Sequence, residues 1–428
     1  MNRIKYLTSH PYSRGVFFVT AGAIVGNISN YLFHVIGGRY LGPSLYGSLA
    51  SLVSLLYIVS ILIGVFSMVA LRELTKLWAR EEKSKFYSLL KSLFSFLTAF
   101  GCLFFFIFSL ASPFIADYLN LKNNSFVFLI GIIGFLSAVS CIFGVFQRAT
   151  LRFKEFSFFT AITSIAKIVF VLLTWYFNFL ILGMLWAIIL SSLVYFFLSI
   201  FDFYFFFKRK SVDFKKIAEF KFSPKSFLRK SSFVLMSNLG MTGFLTSDTI
   251  LVKHFFSSLE SGLYAGTAVM GRVILFVTGP LLTVMMPLII KRREKKENFK
   301  KIFFLTLFLI FFVSLVLLLF YIFFPEIIIS IFYGDKYLQA RSFLPLFGIY
   351  MLFYTLSNVF VVYYIAMEKR KTLFLPLIMA VLQIILINLF HKTLFQVIQV
   401  STFCSALLLA VFLIKFIVGE RKNEKIQG

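Results

Sequence analysis

Acidic side chains are scarce in this chain: 17 Asp and Glu stand against 43 Lys and Arg, for a net charge of +26 over 428 residues. Charge of either sign makes up only 14% of the residues, too little for the surface of a soluble domain of this length. Cysteine is scarcer still. Cys102, Cys141 and Cys404 are odd in number, lie in apolar stretches and show no ligand spacing, so they read as small apolar fillers. His10, His34, His254 and His391 are scattered and form no metal motif, and no metal or other cofactor is expected. No break between apolar stretches is long enough to hold a soluble domain; the longest break expected outside is 325–341. A nucleotide loop is missing too. Gly266-Thr-Ala-Val-Met-Gly271 has P-loop glycine spacing, but Arg272-Val273 follow where Lys and Ser/Thr would hold phosphate and magnesium. Uphill work would therefore have to come from an ion gradient, the membrane potential or a partner.

What the chain does have is hydrocarbon: 60% hydrophobic residues, 61 of them Phe. Its apolar runs predict twelve membrane spans: 15–37, 44–70, 86–111, 125–147, 156–177, 180–207, 230–252, 263–290, 302–324, 342–366, 373–390 and 393–417. A helix needs about 20 residues to cross a hydrocarbon core of about 30 Å. The first run has no small-residue cleavage site behind it and is too long for a leader's apolar core, so it reads as a retained span.

The basic residues fall in every second break. With the N-terminus inside, seven cytoplasmic segments hold 33 of the 43 Lys and Arg. The outer segments hold Arg39, Lys122, Lys253, Lys336, Arg341 and Lys392, and Lys91, Lys167, Arg272 and Lys415 lie within spans. Short basic loops are retained in the cytoplasm. The expectation is a multi-pass protein of the cytoplasmic (inner) membrane with both termini inside. The charge is too dispersed for a nucleic-acid partner, and attraction to anionic inner-leaflet lipid accounts for it.

The longest inner break, 208–229, lies between spans six and seven. It is expected to be a basic linker joining an N-lobe (1–207) to a C-lobe (230–428). The apolar spacing from Val212 to Phe222 suits a helix on the lipid surface or a docking site for a partner. The halves also repeat. Gly38-Arg39-Tyr40-Leu41-Gly42-Pro43-Ser44-Leu45-Tyr46-Gly47 after span one parallels Lys253 to Gly266 after span seven, with its Gly262-Leu263-Tyr264-Ala265. Two six-span halves of one orientation are parallel repeats, an architecture known in transporters that rock around a central site.

These residues carry a resemblance. Gly38-Arg39-Tyr40-Leu41-Gly42-Pro43 with Tyr46-Gly47 resembles the segment after the first helix of polysaccharide flippases in the multidrug/oligosaccharidyl-lipid/polysaccharide exporter superfamily. Asp248-Thr-Ile-Leu-Val, Gly262-Leu-Tyr264-Ala, Gly271-Arg272, Gly279-Pro280 and Pro287 resemble that family's spans seven and eight. Gln147-Arg148 with Arg152-Phe153, and Phe332-Tyr-Gly334-Asp335-Lys-Tyr337, resemble two of its loops. The resemblance implies an all-α integral membrane protein with about twelve transmembrane helices in two six-helix lobes, the V-shaped fold of MATE-type transporters. It also implies movement of a polyprenyl-pyrophosphate-linked oligosaccharide from the inner to the outer leaflet by alternating access, for cell-surface polysaccharide. Polysaccharide polymerase and chain-length machinery are then expected as further partners.

Polar groups within spans are costly and mark candidate sites. Span one carries Thr20, Asn27, Asn30 and His34 on one face; span seven carries Asn238, Thr242, Thr246 and Thr249, with Ser237 and Asp248 beside them. Interhelical bonding and a shared water-filled cavity both fit these stripes. Lys167 and Arg272 lie too deep to snorkel easily, unlike Lys91 and Lys415; Asp202 should face the interface. A pyrophosphate needs cations, and arginine matches its oxygens bidentately. Arg272 can instead pair with Asp248, and the two roles remain open. Arg39, Tyr46 and Tyr264 are expected at an outer gate, and Gly279-Pro280 at a hinge interrupting span eight.

Three rival readings follow. A cation-coupled multidrug exporter usually carries acids in its N-lobe, whereas spans one to five here have none. Lipid II flippases usually have fourteen spans. A membrane glycosyltransferase or polymerase would need clustered acid/base groups near one face, but outer Asp117, Glu260, Glu326 and Asp335 sit in separate loops.

Overall fold

Hydrocarbon gives a backbone nothing to bond to, so a chain this apolar must satisfy its amides internally, which helices do within each segment. The computed structural model describes residues 11–210, 224–294, 297–367 and 369–427, and every regular element among them is helical. In chain order these are α1 (Pro11–Ala79), α2 (Lys83–Tyr118), α3 (Ser125–Ala149), α4 (Phe153–Tyr176), α5 (Leu180–Lys210), α6 (Pro224–Phe255) and α7 (Ser258–Gly271). Then come α8 (Val273–Glu294), α9 (Lys300–Phe323), α10 (Pro325–Phe332), α11 (Leu344–Ala366), α12 (Leu375–Leu389) and α13 (Leu394–Gln427). Short 3-10 turns cover Asp335–Ser342 and Arg370–Phe374. The basic stretch Val212–Phe222 of the expected linker lies outside the described residues.

Ten stretches of described helix are long and apolar enough to cross a membrane. One of them is Gly22–Ala79 of α1, and another is Ser258–Ile290, which joins α7 to most of α8. α6 is not among the ten, because Asn, Ser, Thr and Asp dilute its hydrocarbon.

Two expected breaks differ from what forms. The turn at 38–43 narrows to Gly42, whose φ of 66° and ψ of 171° bend α1 just before Pro43. Glycine adopts this left-handed φ without steric cost, so spans one and two are the arms of one kinked helix. Span eight divides at Arg272, not at Gly279-Pro280. α8 runs on through Pro280, since a transmembrane helix absorbs one missing amide by local adjustment.

The chain packs as two compact units: Met1–Tyr40 with Leu55–Ser231, and Leu41–Ser54 with Ser232–Gly428. In the first unit α3 is central, packed by α2, α4 and α5. A cluster of aromatic rings that includes Phe86, Phe143, Phe146, Phe203 and Phe207 fills the space between α2, α3 and α5. Beyond this cluster, the loop after α3 forms a clasp. Leu151 adopts a φ of 62°. Arg152 then bonds both Asp202 oxygens and Glu155, while Gln147 donates to Asp202 at 3.2 Å. Asp202, near the end of α5, is therefore held by Arg152 of the loop after α3 and by Gln147, and a bidentate arginine is a strong partner for a carboxylate at a half-apolar site.

In the second unit α11 is central, packed by α7, α8, α9 and α13. The segment Leu41–Ser54 enters this unit by an approach that only glycine permits. A methyl group at Gly262 would overlap the Pro43 backbone, with Pro43 Cα 2.7 Å away; one at Gly47 would lie 2.8 Å from the Gly262 nitrogen. Gly279, by contrast, has open space where its side chain would be.

Gly262→Ala should therefore destabilise the protein by about 1–3 kcal/mol or block its folding, the usual cost of overpacking. Gly279→Ala should leave the melting midpoint in detergent unchanged or slightly raised. Equal midpoints for the two variants would contradict the close approach.

Candidate functional site

In the first unit, the kinked α1 brings its polar face against α4. Ser29 donates to the Ser164 carbonyl at 2.7 Å, and the Tyr40 hydroxyl donates to the Thr174 carbonyl at 3.1 Å. Between these ties sits Lys167. Its ammonium donates to Asn30 Oδ1 and lies 5.5 Å from the centre of the Phe33 ring. Neither partner is anionic, and no carboxylate pairs with it among the described residues. The structure thus joins two of the expected site residues, Lys167 and Asn30. Asn27 is exposed. His34 is buried, with Nε2 3.2 Å from the Tyr57 hydroxyl. The Thr20 side chain lies outside the described residues.

In the second unit, the α6 stripe faces inward and is bonded. Asp248 is fully buried. One carboxylate oxygen accepts from the Thr249 amide at 2.6 Å and its hydroxyl at 3.2 Å; the other accepts from the Tyr264 hydroxyl at 2.8 Å. Arg272 stands at the junction of α7 and α8, 8% exposed. Its Nη2 donates to the Leu245 carbonyl and to Thr249 Oγ1, the latter at 3.4 Å. Arg272 and Asp248 make no direct ion pair among the described residues; Thr249 bridges them. Arg272 Nε is buried without a hydrogen-bond partner. An arginine that spends one edge on the protein and leaves another donor unused retains capacity for an anion. Asn238 donates to the Val234 carbonyl of its own helix at 2.9 Å.

The motif segments around Pro43 and Gly334 converge in this unit. Tyr46, fully buried, has its hydroxyl 3.4 Å from that of Tyr333, and its ring centre lies 6.4 Å from that of Tyr337. The Tyr337 ring packs against Gly266. Gly334, at φ 79°, turns the chain between the two tyrosines. The three residues expected together at an outer gate are thus separated in role. Tyr46 joins this tyrosine cluster, Tyr264 holds Asp248, and Arg39 is exposed on the arm of α1 that belongs to the first unit.

Several participants are absent from the expected set. The Tyr350 and Tyr354 hydroxyls cap the carbonyls of Phe244 and Met241 at 2.8 and 3.1 Å, and Gln383 donates to Ser401 at 3.0 Å. All are polar groups in apolar spans, and the cost argument applied to α11 and α12 would have found them. Lys253, counted as a loop cation, is 1% exposed and donates to Ser258 at 3.3 Å. No group of three His, Cys, Asp or Glu able to hold a metal occurs among the described residues.

Removing one side of the bridged pair should cost more than removing both. Arg272→Ala should lower stability by about 3–5 kcal/mol because it leaves Asp248 buried without a compensating charge. Asp248→Ala with Arg272→Ala should recover most of that loss in a thermal melt. Tyr264→Phe should cost about 1–3 kcal/mol. A double variant no better than Arg272→Ala alone would show that the two charges are not coupled.

Comparison with known proteins places this geometry. A family model described as "Polysaccharide biosynthesis protein" matches residues 38–342. No curated protein sequence matches the chain. Among solved structures, an inward-facing multidrug resistance MATE transporter of the MOP superfamily superposes with a TM-score of 0.73 at 13% identity, covering 96% of this chain and 99% of that one. The lipid II flippase MurJ, in an inward closed conformation, gives 0.65 at 18% identity over 94% and 87%. A MOP superfamily transporter from Pyrococcus furiosus, described as having a binding pocket of reversed polarity, gives 0.59 at 14% identity over 99% and 98%. The chain is a multi-pass membrane protein with the fold of the MOP superfamily transporters, and it belongs to the polysaccharide biosynthesis protein family.

Proposed function

We propose that the protein is a flippase that moves a polyprenyl-pyrophosphate-linked oligosaccharide from the inner to the outer leaflet of the cytoplasmic membrane. Lys167 carries this reading: it is an intramembrane cation whose protein partners are a neutral amide and an aromatic face. A cation placed so deep without a counter-charge suits a substrate that brings the anion. Arg272, with a donor in reserve, is a second contact for phosphate oxygens. Family membership supports a role in polysaccharide synthesis. The P. furiosus transporter supports the idea that this fold carries pockets of differing polarity.

The chemistry requires little more than shelter. A sugar headgroup entering hydrocarbon loses several kcal/mol for each hydrogen bond left unmade. Polar side chains on α1 and α6 replace those bonds while the lipid tail stays in the bilayer. The N- and C-terminal lobes alternate in access to the two faces, driven by an ion gradient, the membrane potential or a polymerase partner that removes the product. The 33 basic residues of alternate breaks support both termini being cytoplasmic. Three of the four outer carboxylates support a transporter over an enzyme, because each of the three has a local task. Glu260 caps α7, Glu326 pairs with Arg341, and Asp335 accepts from Ser330.

Lys167→Ala should cut surface glycan by about tenfold or more, the scale of one hydrogen bond to a charged group. Lipid-linked oligosaccharide should accumulate on the inner leaflet at normal protein levels, and Lys167→Arg should retain most export. Full export by Lys167→Ala would contradict the assignment.

A further inference from the structure

A groove of about 320 Å³ runs between α2 and α5 over α3, wholly within the first unit. Its walls are hydrocarbon, with Phe94, Phe143, Phe196 and Phe203 prominent. Two lining residues break the pattern, and they lie one helical turn apart on the same face of α2: Tyr87 and Lys91. Tyr87 is 5% exposed, and its hydroxyl has no hydrogen-bond partner. Lys91 lies inside an apolar helix, is exposed, and makes no hydrogen bond or ion pair with described residues. An unpaired ammonium on the helix that walls an apolar trough matches an amphiphile with an anionic head.

We propose that this groove binds an anionic phospholipid, with part of one acyl chain laid against the phenylalanines and the phosphate oxygens accepting from the Lys91 ammonium. Charge complementarity favours that occupant. The groove lies toward the end of α2 that follows Arg80, Lys83 and Lys85, and toward the end of α5 that carries Lys208. Its volume is at the small end for ligand sites, enough for part of one chain. A lysine at this position can run back along the helix surface, as membrane lysines do, so that its charge meets a headgroup while its stem covers hydrocarbon. The site is separate from Lys167 and Arg272 and does not depend on what the protein transports.

The test is native mass spectrometry of the delipidated full-length protein in detergent, titrated with phosphatidylglycerol or phosphatidylcholine. Wild type should retain phosphatidylglycerol in preference to phosphatidylcholine. Lys91→Ala, at an exposed position that should not disturb folding, should weaken retention by about fivefold, the equivalent of about 1 kcal/mol for one basic residue at an anionic surface. Lys91→Arg should keep it. Ile200→Trp, which fills the trough without touching the charge, should weaken both lipids provided its melting midpoint matches wild type. Unchanged retention in Lys91→Ala would overturn the site. Displacement of phosphatidylglycerol by an equal concentration of a polyprenyl phosphate would overturn the assignment of its occupant.

Discussion

Hydrocarbon supplies no hydrogen bonds, and that constraint sorts the polar side chains of the described spans. Most are answered within the chain. Asp248 accepts three bonds from Thr249 and Tyr264, Gln383 reaches Ser401, and Tyr350 and Tyr354 cap carbonyls of α6. These groups fix how α6, α7, α11, α12 and α13 pack. A smaller set is answered incompletely. Lys167 meets only an amide and a ring, and Arg272 keeps one buried donor without a partner. The first set builds the scaffold. The second set is where an anionic ligand would gain most, because the protein has already borne the desolvation of its cations.

Close backbone approach is the second organising element. Gly42 bends α1, and Gly47 and Gly262 then let Leu41–Ser54 pack in the second unit while the remainder of α1 belongs to the first. Tyr46, Tyr333 and Tyr337 gather at the same place, with Gly266 accommodating the Tyr337 ring. The short motifs therefore have a common physical reason. Each supplies either a residue without a side chain where helices touch or an aromatic ring that fills the space beside them.

The span count was legible because twenty-residue apolar runs and basic breaks are coarse signals that survive local detail. Where each helix bends was less so. Glycine and proline at 42–43 and at 279–280 look alike in sequence, yet the left-handed φ falls on Gly42, whereas α8 continues through Pro280. Ser257 and Glu260 carry the spacing of a capping box and do form one, which marks the start of α7. At the site, Lys167 could be named from its depth and Asn30 from its place on the polar face of span one, but their contact could not, since it depends on the rotation of α4 against α1. The choice between ligand and ion pair for Arg272 was open for the same reason. In the structure Thr249 stands between Arg272 and Asp248, and a hydroxyl one position from an aspartate gives no sequence signal of that role.

The most direct measurement is translocation by the purified protein. Liposomes containing it would receive a polyprenyl-pyrophosphate-linked oligosaccharide in both leaflets, and a membrane-impermeant glycosidase added outside would digest what it can reach. With an active flippase, digestion should pass the outer-leaflet half and approach completion, and the Lys167→Ala protein should stop near half. Digestion that stops near half with folded wild-type protein, while a cationic dye is transported, would contradict an anionic lipid-linked substrate and point to drug export instead.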